Sequence, residues 1–162
     1  MPTEENKGYI QVVQHSRTLK ELFEEKNVYT GAMTEDVIDE YLRQSTNSME
    51  EYYDACDHFM NSVTIYIALT YLFGIADRHP SNIMIKKYGD LFHIDFGHIL
   101  GNFKTIVGVK RETNQVVFNS QMLHVFGGEK SENYYQFLLL CSSIFLNLRR
   151  NWSSLYSLLE IV

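Results

Sequence analysis

Apolar residues recur along the chain at two periods, and the change from one to the other marks its elements. Gly8-Tyr9-Ile10-Gln11-Val12-Val13 alternates, which predicts a strand after a polar, loop-like start at Met1 to Lys7. From His15 to Lys26 the spacing turns helical, with Leu19, Leu22 and Phe23 on one face. Asn27 to Met33 reads as a connector. Thr34 is placed to cap the next helix, where Val37, Ile38, Tyr41 and Leu42 share a face. Ser48-Met49-Glu50-Glu51 fits a capping box, in which the Ser hydroxyl and the Glu carboxylate exchange bonds with backbone donors. The helix it opens is predicted to be the longest of the chain. Tyr52, Cys56, Phe59, Met60, Val63 and Ile67 form its stripe, and its second half is apolar nearly all round, a pattern of burial on every face. Asp54, Asp57 and His58 fall on its wetter half and read as a solvated surface. Gly74 ends it.

The period then drops to two. Ile83-Met84-Ile85 is too short for a helix and rich in strand formers, Tyr88-Gly89-Asp90 supplies a turn, and Leu91 to Asp95 alternates. These make one β-hairpin, with Asn82 and Asp95 at the same end of its strands. From Gly101 to about Phe118 no period holds, and a loop of that length inside a domain is usually functional. Asn119 or Ser120 opens a short helix through Phe126, stopped by Gly127-Gly128. A long amphipathic helix follows from Ser131 to Arg150, carrying Phe137, Leu140, Cys141, Ile144, Phe145 and Leu148. Ser153 is placed to cap a last apolar segment, Leu155 to Val162, whose apolar end suggests that the sequence stops early. No internal repeat appears.

Composition narrows the class. At 162 residues the chain is one domain or part of one, and 45% hydrophobic content supports a real core. A formal net charge of −6 argues against general nucleic-acid binding but leaves room for a local basic patch. Two cysteines, Cys56 and Cys141, sit in apolar helical patterns, which suits buried thiols in a reducing cytosol rather than a disulfide framework. The sequence shows no signal peptide. The apolar run from Ile65 to Ala76 is too short to span a bilayer, so membrane contact is expected to be peripheral.

Two polar clusters flank the hairpin: Asp77-Arg78-His79-Pro80-Ser81-Asn82 before it and Asp95-Phe96-Gly97-His98 after it. A carboxylate and an amide oxygen brought together by the hairpin suit Mg²⁺, which prefers hard oxygen ligands and completes its shell with water and phosphate. A zinc site built from His79, His93, Asp95 and His98 competes, since all four are zinc-capable and His93 and Asp95 would share a strand face. That alternative leaves Asn82 and Gly97 without a role.

Protein kinases hold Mg²⁺ with the same pair, an Asp of Asp-Phe-Gly and a catalytic-loop Asn. Here the triplet runs Asp-Arg-His, in the reverse order, and in this the chain resembles the phosphoinositide 3-kinase and 4-kinase superfamily. Gly-Ile-x-Asp-Arg-His, Asn-Ile-Met and the His after Asp-Phe-Gly make the resemblance closest to phosphoinositide 3-kinases, class I above all; Ala76 stands where that family usually has Gly. The resemblance implies an α+β fold, the mostly helical C-terminal lobe of a protein-kinase-like domain with a catalytic β-hairpin and a long activation loop. It divides the chain into a hinge strand at about 8–14, a helical lobe at 15–73, catalytic loop and hairpin at 74–97, activation loop at 95–118 and C-terminal helices at 119–162.

The same resemblance implies transfer of the ATP γ-phosphate to the 3-hydroxyl of an inositol phospholipid, with ATP and Mg²⁺ as cofactors. Asn82 and Asp95 look like the magnesium ligands. The backbone at Gln11, Val12 and Val13 looks like the adenine edge, with Gln11 in place of the family's acidic residue, and Met84 and Ile94 like the adenine floor. Asp77 and His79 belong to the catalytic loop; His79 or His98 would take the hydroxyl proton, and Arg78 would anchor the loop. Lys104, Lys110 and Arg111 would meet head-group phosphates, weakened by Thr113-Asn114-Gln115 where class I commonly has Arg-Val-Pro. The implied partners are a phosphoinositide lipid and a membrane surface reached from the cytoplasm, with room for a regulatory subunit. The phosphate-binding loop and strand Lys of the small lobe would lie upstream of residue 1, so this chain by itself is expected to be inactive. A phosphatidylinositol 4-kinase, a protein-kinase-like relative and a non-catalytic binding module are the alternatives.

Overall fold

The computed structural model describes residues 2–4, 7–26, 36–100, 102, 105–106, 109–110 and 116–160, with backbone alone at 2–4, 7, 105–106, 109–110 and 158–159. The chain opens on an antiparallel ribbon, β1 (Pro2–Glu4) against β2 (Lys7–Gly8), where the sequence suggests a loose start. Residues 9–13 are exposed and outside any strand, so the strand expected there shrinks to its first residue. Alternation favours an extended chain, but a strand also needs a neighbouring edge, and 9–13 join no sheet among the described residues.

A strand and a shorter helix, β3 (Ser16–Thr18) and α1 (Leu19–Glu25), replace the single helix expected over 15–26. Thr18 divides them through a capping box. Its hydroxyl accepts from Glu21 N at 3.1 Å, and the Glu21 carboxylate accepts from Thr18 N at 2.8 Å. Next, α2 (Val37–Ser45) starts behind Asp36, which makes no side-chain cap bond; Thr34 lies outside the described residues.

The 25 residues of α3 (Met49–Phe73) make the longest helix described, about 37 Å at 1.5 Å per residue. The Ser48 hydroxyl accepts from Glu51 N at 3.1 Å, but the Glu51 carboxylate reaches back to Asn47 N at 2.7 Å, so half of the expected box forms. Tyr52, Cys56, Phe59, Met60 and Val63 are buried and Ile67 half-buried, as the stripe predicts. The second half is not buried all round: Ile65 and Tyr71 are more than half exposed, because the hairpin and α5 cover only two sides of the helix.

After a 3-10 turn at Pro80–Asn82 come β4 (Ile83–Lys86) and β5 (Leu91–His93), which form an antiparallel sheet in the order β3-β4-β5. The register pairs Arg17 with Ile85, Thr18 with Met84, Ile83 with His93 and Met84 with Phe92. Ile83, Ile85, Leu91 and His93 are buried, while Met84 and Phe92 alternate with them and stay half-buried on the other face. The segment expected to be irregular to Phe118 contains a further ribbon, β6 (Thr105–Ile106) against β7 (Val109–Lys110). Thr105, Ile106 and Val109 favour extended backbone on either side of Val107-Gly108.

Asn119 caps α4 (Ser120–Val125) by accepting from Met122 N at 3.0 Å, and Gly127 and Gly128 end it at φ +86° and +89°. Ser131 caps α5 (Glu132–Arg150), and α6 (Trp152–Leu159) begins one residue before Ser153, which sits in its first turn and not at its cap. Phe59, Ile38, Leu42, Met122 and Phe126 bring α2, α3 and α4 together, each contributing about 2–3 kcal/mol of burial. Phe137, the one fully buried residue of α5, stacks on Phe118 at 4.9 Å and packs on Phe126 at 5.2 Å. Cys56 is buried and Cys141 half-buried, both as free thiols. Among the described residues no helix is long and apolar enough to cross a membrane.

Candidate active site

The left-handed Gly74 (φ +56°) stops α3, and the chain turns into a buried segment, Ile75 to Arg78, beneath the open end of the hairpin. Ala76, which stands where the resemblance expects Gly, is not at positive φ, so its methyl costs no backbone strain. Asp77 is at φ +61°, in the left-handed region that Asp tolerates better than most residues. It is buried, its carbonyl accepts from Asn82 Nδ2 at 2.9 Å, and its Oδ2 is 3.8 Å from His79 Nε2.

Arg78 is buried and its guanidinium serves the backbone. Nε donates to Ala76 O at 2.8 Å, one terminal nitrogen to Ile94 O at 2.6 Å, and the other to Asp95 O. The planar fork thus ties the segment after α3 to the exit of β5, as an anchoring Arg should. Its carbon lies 5.6 Å from the centre of the Phe96 ring.

His79 precedes the 3-10 turn, Pro80 occupies its first position, and Asn82 N closes it on His79 O at 2.8 Å. Asn82 O accepts from Ile94 N at 3.0 Å, which seals the open end of the hairpin and sets Asn82 one residue and Asp95 two residues beyond the paired positions Ile83 and His93. The Asn82 amide nitrogen is occupied, by Asp77 O and by His79 Nε2 at 3.3 Å. Its Oδ1 accepts no hydrogen bond among the described residues. Asp95, at φ +57°, is exposed; its Oδ1 accepts from Gly97 N at 3.3 Å and its Oδ2 stays available. Two uncommitted hard oxygens at one end of a hairpin fit a Mg²⁺ ion.

The zinc alternative fails. Among the described residues no group of three or more His, Cys, Asp or Glu side chains could hold a metal. The physical reason is that β5 ends at His93, and the left-handed Asp95 breaks the alternation that would have put both on one face. His93 is instead buried and stacked on Tyr66 at 4.4 Å, and its Nδ1 has no hydrogen-bond partner among the described residues. Burial, helped by the Arg78 charge, lowers its pKa to about 4, so it is neutral near pH 7. Tyr66 left no signal in the sequence, since stacking between a helix and a strand residue has no local pattern.

His98 is half-buried and its backbone is fixed, because its carbonyl accepts from Ala76 N at 2.9 Å. Its Nδ1 is 3.0 Å from Asn102 O. A carbonyl only accepts, so Nδ1 carries the proton and Nε2 keeps a lone pair. In His79 the order is reversed, since the Asn82 amide donates to Nε2 and occupies its lone pair. Neutral His98 can therefore accept a proton at an unengaged nitrogen, and neutral His79 cannot.

The remaining expected residues divide. Met84 and Ile94 are half-buried and belong to the less covered face of the sheet. Gln11, Val12 and Val13 are exposed and line a cleft of about 560 Å³ with Lys86, Lys87 and Tyr88, so that cleft does not include Met84 or Ile94. Lys110 is the last residue of β7; Lys104 and Arg111 lie outside the described residues.

The family model for phosphatidylinositol 3- and 4-kinase matches residues 1–162. Over 155 residues, 96% of the chain, it is 36% identical to phosphatidylinositol 3-kinase 2 of Dictyostelium discoideum. It is 39% identical over 147 residues to phosphatidylinositol 3-kinase 1 of the same organism, covering 89% of the chain. It is 31% identical over its whole length to the phosphatidylinositol 3-kinase C2 domain-containing subunit gamma of Rattus norvegicus. The chain spans 8%, 9% and 11% of the lengths of these three relatives.

Proposed function

The chain belongs to the phosphatidylinositol 3- and 4-kinase family, and from that premise we propose that it forms the C-terminal lobe and hinge of a lipid kinase. The reaction is transfer of the γ-phosphate of ATP to the 3-hydroxyl of an inositol phospholipid; the names of the relatives favour the 3-position over the 4-position. The observation that carries the reading is the pair of uncommitted oxygens, Asn82 Oδ1 and Asp95 Oδ2, at the end of the hairpin sealed by Asn82 O and Ile94 N.

Asn82 and Asp95 would hold Mg²⁺, which would supply neutralisation of phosphate charge. Arg78 keeps the Asp95 backbone in place, and the two bonds to the Asn82 amide nitrogen turn its oxygen outward. His98 takes the inositol hydroxyl proton at Nε2 as that oxygen bonds to phosphorus and the bond to ADP breaks. Asp77 and His79 complete the catalytic loop. Met84 and Ile94 form the adenine floor, and the backbone at Gln11, Val12 and Val13 its edge. Lys104, Lys110 and Arg111 meet head-group phosphates at a membrane surface approached from the cytoplasm. A regulatory subunit belongs to the same proposal; the rat relative is itself named as a subunit.

The test is to supply the full-length polypeptide containing this chain with Mg-ATP and vesicles of unphosphorylated, mono- and bisphosphorylated phosphatidylinositol, and to map the product. Label at the 3-position supports the reading; label at the 4-position, or on protein alone, overturns it. A Lys110→Ala/Arg111→Ala variant should lose activity selectively on the phosphorylated lipids. An equal loss on all three would reduce these residues to general membrane attraction.

A further inference from the structure

The ring of His98 is held by a small network around Asn102. Asn102 donates its side-chain amide to Gly97 O at 3.1 Å and its backbone N–H to Ile99 O at 3.1 Å, and its own carbonyl faces His98 Nδ1 at 3.0 Å. One residue thus closes the turn with its side chain and presents the acceptor with its backbone. The segment has separate anchors, Ala76 N to His98 O at 2.9 Å and Leu100 N to Phe73 O at 2.8 Å. Those two bonds hold the backbone at His98 and Leu100 whether or not the Asn102 amide is present.

We propose that Asn102 is a positioning residue for His98: its amide folds the turn from Gly97 so that its carbonyl accepts a hydrogen bond from Nδ1–H and leaves the Nε2 lone pair open to a substrate hydroxyl. Which imidazole nitrogen carries the proton is set by the bond the other nitrogen makes. Without the amide the carbonyl swings free, the ring can rotate, and the Nε2–H tautomer, which donates where a base must accept, becomes populated. Leu100, at φ +53°, is part of the same turn, and a non-glycine residue in that region persists only where its surroundings over-determine it. The inference rests on the reading of His98 as the base, and its test separates the two.

The test is a double-mutant cycle in the full-length polypeptide on phosphatidylinositol vesicles, with Asn102→Ala, His98→Ala and the two combined. His98→Ala is expected to lower kcat about a hundredfold or more. Asn102→Ala is expected to lower kcat about tenfold with the KM for ATP unchanged, and to cost nothing further in the His98→Ala background. Asn102→Asp keeps the size and removes the donor, so it should match the alanine variant; it serves as the second reading if Asn102→Ala lowers the melting temperature. A tenfold loss that persists in the His98→Ala background, or a raised KM for ATP with kcat intact, overturns the positioning role and leaves the base in place. Wild-type kcat in His98→Ala overturns the base, and with it the role of Asn102.

Discussion

The two ends of the β4–β5 hairpin are held by opposite means. At the turn end the chain passes so close to α3 that no side chain fits: a Cβ on Gly89, which sits at φ +96°, would lie 2.0 Å from Ala55 O. Ser62 of α3 adds a tether by accepting from Leu91 N at 2.9 Å. At the open end the constraint is polar. Arg78 bonds three carbonyls, Asn82 bonds across the loop, and Asp77 and Asp95 hold left-handed backbone that costs about 1–2 kcal/mol each. Shape fixes one end, charge and hydrogen bonding the other. The polar end can carry strain because the hairpin behind it is already immobilised.

The sharpest way to break the comparison is at the polar end. Asp95→Asn keeps the shape and removes the charge, so lipid kinase turnover of the full-length polypeptide should fall on the order of 10²–10³-fold with the melting temperature unchanged. Near-normal turnover would show that charge does not define that end.

Gly89→Ala probes the other end. Overpacking against Ala55 and a forced left-handed alanine should together remove about 3–4 kcal/mol of stability, read by urea unfolding. Turnover per folded molecule should survive. A loss below about 1 kcal/mol would mean that the turn is free to lift away from α3.

His93 lies on the buried face between the two ends. Its pKa is lowered to about 4, whereas an unfolded histidine titrates near 6.5. As pH falls below 6.5 the unfolded chain takes up a proton that folded His93 refuses, so stability declines until about pH 4 and levels below it. Between pH 7 and pH 5 this histidine should cost the fold about 2 kcal/mol. His93→Phe keeps a ring against Tyr66 and should remove that part of the pH dependence; an unchanged slope would place His93 in contact with water.

Ala76→Gly should matter least. Ala76 is buried but not at positive φ, so the change releases no strain; it adds chain entropy and removes one buried methyl, together about 1.5 kcal/mol by thermal unfolding. A gain in stability would reveal strain at that position.

What could be read from the sequence follows the range of the interaction. The hairpin was legible because Tyr88-Gly89-Asp90 and the β-branched residues beside it act within a few positions, and the caps at Ser48 and Asn119 act within three. Asn82 and Asp95 could be placed at one end of the hairpin for the same reason. The strand β3 was missed because Ser16-Arg17-Thr18 is polar and its partner lies far along the chain, although Thr18 and Glu21 spell a capping box that marks where α1 starts. The exposure of Ile65 and Tyr71 was hidden because an apolar helix pattern does not say which faces have neighbours. The shared face assumed for His93 and Asp95 failed because alternation carries no information once a residue turns left-handed. Asn102 had only a Gly-Asn step to mark it, and its role depends on a carbonyl that any residue would have.

The bond from Leu100 N to Phe73 O joins the Asp95-Phe96-Gly97-His98 segment to the last turn of α3, across the whole catalytic loop and hairpin. That bond couples the stability of the segment to the integrity of the helix end, because its acceptor belongs to the last turn of α3. When the end of α3 frays, the amide of Leu100 loses its acceptor, and its exchange with deuterium should keep step with Gly74 and Ile75, whose amides share the Thr70 carbonyl.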